Sequence, residues 1–222
     1  MSNPENTAVS NSANPSAAPA TAPTSGKTVE FLFDVGSPFS YLAYHRITGF
    51  AREHGASIIW TPVLVGAIFQ ATGNASPITI PAKGRYTMLE LLRWAKRFGV
   101  TIRNNPNFPI NTLPLMRGAV AMQMQGEEIF QRYLSVVFRA MFEQPRNLSD
   151  LAEIAAVLAE GGFDAELFQA MIGEQAVKDK LKANTGHAVA RGVFGAPTFF
   201  VGEEMFWGQD RFDFVAEALA RQ

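Results

Sequence analysis

Strand-like patterning in this chain occurs only near its two ends, and that restricts the architecture more than any other feature. VEFLFDV (29–35) alternates β-branched and aromatic residues and reads as a buried strand, and SIIWTPV (57–63) reads as a second. Between them SPFSYLAYHRITGFAREHG carries a helix, with Ser37 placed to cap it, Pro38 at the first helical position and Gly55 ending it. Strand, helix, strand in this order is a βαβ unit whose crossover sets the strands parallel. The remaining strands come only in GAPTFFVGEEMFWGQDR, as a hairpin of Thr198–Val201 and Met205–Trp207 followed by a closing helix from about Asp210.

Everything in between reads first as a polar, Gly- and Pro-punctuated loop from about Gly66, then as helix after Tyr86. Segments 112–125, 127–142, 148–160, 164–172 and 175–192 each repeat apolar residues at about 3.6-residue spacing, separated by Gly, Pro or Asn. The predicted class is therefore α/β: a thioredoxin-like fold with a large all-helical insertion between its βαβ and ββα halves. Its expected divisions are a tail at 1–28, a thioredoxin-like domain at 29–65 and 186–222, and an inserted loop and helical subdomain at 66–185.

Composition narrows the functional classes. The 19 Lys+Arg against 20 Asp+Glu leave no electrostatic footprint for nucleic acid or an anionic membrane surface. There are no cysteines, which removes disulfides, thiolate metal sites and any thiol of the chain's own. A dithiol oxidoreductase is thereby excluded. His45, His54 and His187 stand too far apart for a local metal cluster, so no metal is expected. The first 26 residues are nearly all Ala, Ser, Pro, Thr and Asn, with too little apolar surface to offset the entropy of ordering. They lack the basic and apolar blocks of a secretory signal, so a soluble, cytoplasmic protein is expected.

In thioredoxin-like proteins the active-site cysteines open the helix after the first strand, because the helix N-terminus stabilises a thiolate. Here that position reads Ser37-Pro38-Phe39-Ser40. The helix end and a hydroxyl donor remain, and the sulfur must come from another molecule. Ser40 reads as a solvent-facing helix residue. Gly195-Ala196-Pro197-Thr198 places a proline at the start of a strand, where a cis bond would aim the main chain of Ala196 at an extended ligand. The isomer is not legible in the sequence.

FDVGSPFSYLA, ATGNASPITIPAKGRYT, NFPINTLPLMRG and GVFGAPTFFVGEEMFWGQDR, in that order, resemble the signature segments of the 2-hydroxychromene-2-carboxylate isomerases. That family shares its fold with the kappa-class glutathione transferases and is distantly related to bacterial disulfide oxidoreductases. The resemblance covers about residues 29–220. It implies glutathione as cofactor, with Ser37 facing its sulfur, Asn74 and Lys83 lining its site, and Ala196 before Pro197 bonding its cysteinyl backbone. Gln209 and Asp210 would take the γ-glutamyl end, Asp210 pairing the ammonium or capping the last helix. Phe39, Arg85, Tyr86, Asn111 and Trp207 would surround a small aromatic carboxylate substrate. The resemblance also implies a homodimer.

The implied reaction is nucleophilic catalysis by a borrowed thiol: addition to the conjugated ring, ring opening, rotation and expulsion, giving the trans open-chain pyruvate. Two alternatives stay open on the residues. One is a kappa-type transferase or peroxidase using the same site, and the other is a non-catalytic thioredoxin-like module that holds a peptide.

Overall fold

The computed structural model describes residues 26–222, so the tail read at the N-terminus lies almost wholly outside the described residues. Strands β1 (Thr28–Phe33), β2 (Ser57–Pro62), β3 (Thr198–Val201) and β4 (Glu204–Trp207) form one sheet in the order β2-β1-β3-β4. β1 and β2 pair in parallel from Thr28 opposite Ser57 to Phe33 opposite Pro62, as the crossover through α1 (Pro38–Glu53) requires. β3 runs antiparallel to β1, with Phe199 opposite Phe31, and turns back into β4 through Gly202-Glu203. Gly202 has φ 59°, the left-handed conformation that tight hairpin turns ask of their first residue.

The inserted stretch contains α2 (Val65–Thr72), a 3-10 turn at Pro77–Thr79, α3 (Pro81–Phe98), α4 (Leu113–Gln125) and α5 (Glu127–Phe138). α5 continues as a π-helical turn at Arg139–Glu143, and α6 (Leu151–Glu160), α7 (Ala165–Gly173) and α8 (Gln175–Ala190) follow. The chain ends in α9 (Phe212–Ala220). Two differences from the sequence reading stand out. The stretch read as a loop up to Tyr86 holds α2 and the opening of α3, because Pro81 is the first residue of α3, where its missing N–H costs nothing, and not a loop marker. The last helix begins two residues later than expected, at Phe212.

The alternation in β1 distributes its side chains between two cores. Phe31 and Phe33 join the larger one, where Phe31 stacks on Phe199 at 5.3 Å between ring centroids and meets Trp60 edge-on at 5.5 Å. α1, α9 and the helices α4 to α7 close over that face. Leu32 points the other way and packs with Val63, Ile68, Ala188, Val193 and Phe200 under α2 and α8. Each buried side chain of this size contributes about 1.5–3 kcal/mol relative to exposure. This arrangement leaves the end of β1, where the chain turns into α1, ringed by the starts of α1, α2 and α4 and by the approach to β3.

Candidate active site

Ser37 caps α1 from an extended backbone, and its Oγ accepts the Ser40 N–H at 3.1 Å. The same hydroxyl donates to the Ala196 carbonyl at 2.9 Å, so residues 159 apart in sequence meet at the helix start. The Ala196-Pro197 bond is cis. With its carbonyl engaged by Ser37, Ala196 keeps a backbone N–H that no other described residue accepts.

The loop carrying Ala196 is held from several sides. Asn74, just past the end of α2, donates through Nδ2 to the Phe194 carbonyl at 2.8 Å. Thr198 Oγ1 bonds the Gly195 carbonyl at 2.8 Å, and the Gly208 N–H bonds the Pro197 carbonyl at 3.0 Å. Trp207, half exposed, packs tilted against Phe194 with ring centroids 4.8 Å apart and lies over Gly195. A Cβ at Gly195 would stand 2.7 Å from the Trp207 Nε1, so glycine is needed there for space.

Around this centre the expected site residues fall into two groups. Ser37 bonds Ala196 directly, Asn74 and Trp207 reach the same loop through Phe194, and Gln209 and Asp210 follow Gly208, whose N–H bonds the Pro197 carbonyl. Gln209 is buried. Asp210 is not the cap of α9: Arg211 holds that position without a side-chain bond, and Asp210 instead pairs with the Arg211 guanidinium at 2.5 Å. The positive φ of Gly208, 112°, turns its chain so that the Asp210 carboxylate folds back over it. Lys83, Arg85 and Tyr86 stand exposed on the first turns of α3, and among the described residues no hydrogen bond or ion pair joins them to the Ser37–Ala196 centre. Among the described residues neither Lys83 nor Arg85 forms an ion pair. Asn111 is exposed, its Oδ1 accepting the Leu113 N–H that opens α4. Phe39 packs partly buried against the larger core.

Ser40 differs from its reading as a solvent-facing residue. It is fully buried, and among the described residues its Oγ has no partner. The first turns of α1 bury Ser40, Tyr41, Leu42 and Ala43 in succession, so they are covered on more sides than a single amphipathic stripe provides. A buried carboxylate also went unread. Asp34, at the exit of β1, accepts from the N–H of Gly36 and Val65 and from the Thr112 hydroxyl. Burial pushes its carboxyl above the usual range, and the three hydrogen bonds act against that rise. An acid closing the apolar run Phe31–Phe33 at the exit of β1 was the available signal. Among the described residues no group of acids and histidines is arranged to hold a metal ion, and no helix is long and apolar enough to cross a membrane.

The model of the DSBA-like thioredoxin domain matches residues 28–220. The chain belongs to the DSBA-like thioredoxin family. Within it, a 2-hydroxychromene-2-carboxylate isomerase of Pseudomonas putida is 32% identical over 197 residues, covering 87% of this chain and 94% of that protein. A kappa 1 glutathione S-transferase of Rattus norvegicus is 23% identical over 208 residues, covering 88% and 92%. A solved structure of a 2-hydroxychromene-2-carboxylate isomerase superposes with a TM-score of 0.77 at 30% identity, over 87% of this chain and 95% of that one. The resemblance carried by the four sequence segments, and the thioredoxin-like fold with its helical insertion, are thereby borne out. This member of the DSBA-like family has no cysteine, so the chemistry of a redox dithiol is not open to it.

Proposed function

We propose that this chain is a glutathione-dependent isomerase that converts 2-hydroxychromene-2-carboxylate to trans-o-hydroxybenzylidenepyruvate in aromatic degradation, acting in the cytoplasm as a homodimer. One observation carries the reading: the Ser37 hydroxyl caps α1 and lies 2.9 Å from the carbonyl of Ala196, before cis-Pro197, in a chain that has no thiol. The names of the relatives support both halves of it, isomerase and glutathione.

The donor set fits such a cofactor. Ala196 offers an unpaired backbone N–H to a peptide-like ligand, Lys83 an unpaired ammonium to a carboxylate, and Asp210 a half-exposed carboxylate to an ammonium. When bound, glutathione supplies the sulfur nucleophile that the chain lacks. Ser37 and the positive end of α1 hold negative charge at that sulfur, and an anion outcompetes the neutral Ala196 carbonyl for the serine proton because charge-assisted hydrogen bonds are the stronger. Asn74 keeps the loop of Ala196 in register through Phe194, and Gln209 supports the turn before Asp210. Phe39, Arg85, Tyr86, Asn111 and Trp207 surround the aromatic carboxylate, with Arg85 orienting its acid group.

Titration calorimetry with glutathione, and with a dipeptide lacking the γ-glutamyl group, tests the cofactor. Ser37→Ala is expected to lower turnover by about ten-fold or more, the scale of one lost transition-state hydrogen bond, while glutathione binding changes little. Unchanged turnover removes Ser37 from its role. Accumulation of a glutathione conjugate in place of the isomer would identify a kappa-type transferase instead. Binding of extended peptides without glutathione binding would leave the peptide module.

A further inference from the structure

Asp34 lies outside every role assigned above, yet it is hydrogen-bonded to both residues of the turn that presents Ser37. Its Oδ1 accepts the Gly36 N–H at 2.9 Å, and its backbone carbonyl accepts the Ser37 N–H at 2.9 Å. Both amides of the turn are therefore tied to one residue. Its Oδ2 accepts the N–H of Val65, the first residue of α2, at 2.8 Å, and the hydroxyl of Thr112, just before α4, at 3.1 Å. Thr112 closes the arrangement from the other side, with its Cγ2 only 2.5 Å from where a Gly36 Cβ would be. Gly36 is thus clamped between a carboxylate oxygen and a methyl group. The two N–H groups only donate and the Thr112 hydroxyl can donate too, so the three contacts suit an ionised carboxylate against the burial that raises its pKa, and among the described residues it has no ion-pair partner.

We propose that Asp34 is the positioning residue of this site, drawing the Gly36–Ser37 turn, the start of α2 and Thr112 onto one carboxylate so that the Ser37 hydroxyl is held where a bound thiol needs it. The proposal rests on the reading of Ser37 as the partner of a glutathione sulfur. It has a consequence of definite sign. A buried negative charge beside a thiolate disfavours the thiolate, so removing that charge alone would lower the pKa of the bound thiol. If Asp34 works through Ser37, removing it raises that pKa, because the serine is no longer held.

The test is the pH titration of glutathione bound to the protein, followed by the ultraviolet absorbance of its thiolate, in wild type, Ser37→Ala, Asp34→Asn and the double variant. Asp34→Asn is expected to raise the thiol pKa by about one unit, roughly a ten-fold loss of thiolate at fixed pH, with no further rise in the double variant. A fall, no shift, or a rise that adds fully to that of Ser37→Ala overturns the proposal. Should Asp34→Asn not fold, Thr112→Val keeps the carboxylate and the methyl against Gly36 and removes only one hydroxyl. It is expected to give a smaller rise, again absent in the Ser37→Ala background, and an unchanged pKa overturns the proposal. If Ser37→Ala itself leaves the thiol pKa unchanged, or the wild type binds no glutathione, the underlying reading fails and the proposal with it. If Ser37→Ala raises the pKa and Asp34→Asn does not, only the role of Asp34 fails.

Discussion

Tyr133 and Gly118 show how little slack single residues have in the helical part of the molecule. The Tyr133 hydroxyl is buried and donates to the Leu115 carbonyl at 2.7 Å, and burial drives its pKa upward, so the phenol stays protonated. Tyr133→Phe removes one buried hydrogen bond while the Leu115 carbonyl keeps its helical donor in α4, a loss of about 1 kcal/mol by chemical denaturation. Gly118 faces the same ring: a Cβ there would come within 2.3 Å of the tyrosine oxygen and 2.4 Å of Phe168 Cε2. Gly118→Ala is expected to cost about 1–3 kcal/mol through overpacking. In a Tyr133→Phe background that cost should shrink, since the contact with the hydroxyl oxygen has gone, while Phe168 Cε2 at 2.4 Å and the ring Cζ at position 133, 2.8 Å away, prevent it from vanishing. Strictly additive losses in the double variant would show that the core relaxes elsewhere.

At the scale of elements, α1 is tied to the π-helical turn by a polar cluster as well as by packing. The Tyr41 hydroxyl donates to the Thr101 carbonyl at 2.6 Å and lies 3.1 Å from Glu143, and His45 Nε2 stands 3.8 Å from the same carboxylate. Burial, assisted by Glu143, pushes the neighbouring Tyr44 phenol up to about 12. Burial lowers the His45 pKa below its ordinary 6.5, and Glu143 only partly opposes it. The unfolded chain therefore takes up that proton first, and the contribution of neutral His45 is complete above about pH 6.5 and lost as the pH falls through the lowered folded value. The unfolding midpoint should drop over that interval, and His45→Gln should flatten the dependence. An unchanged slope would mean that Glu143 offsets the burial. The periodicity of α1 was plain in the sequence, whereas this cluster was not. Glu143 reaches it because α5 ends in a π turn, a departure from 3.6-residue spacing that an amphipathic pattern does not encode.

At the scale of the whole molecule, the site is a junction between distant parts of the chain. Ser37 comes from the first helix, Asn74 from the end of the second, and Ala196, Trp207 and Asp210 from the last thirty residues. A ligand that bridges them binds only the folded state. Glutathione at about a hundred times its dissociation constant should therefore raise stability by about 2.7 kcal/mol, read as a higher melting temperature. A dipeptide without the γ-glutamyl group should give a smaller rise, and smaller still in Asp210→Ala. Equal shifts for the two ligands would remove Asp210 from the ammonium. The same junction explains which site residues were legible. Ser37 and Pro197 announce themselves locally, through a helix start and a strand start. Asp34, Ser40 and Thr112 acquire their meaning only from what packs against them.

The sequence alone settled the order of the strands and of the helices other than α2, since alternation and helical spacing are local consequences of backbone geometry. It also settled the absence of a thiol, which is a matter of counting. The tertiary structure decided the rest: that Ala196-Pro197 is cis, that the Ser37 hydroxyl spends its proton on Ala196, that Asp210 turns to Arg211 rather than capping α9, and that one buried carboxylate gathers three segments at the end of β1. The physical reason is range. A hydrogen bond or a clash between residues as far apart as Ser37 and Ala196 exists only once the core has closed, and nothing in either neighbourhood of the sequence records it.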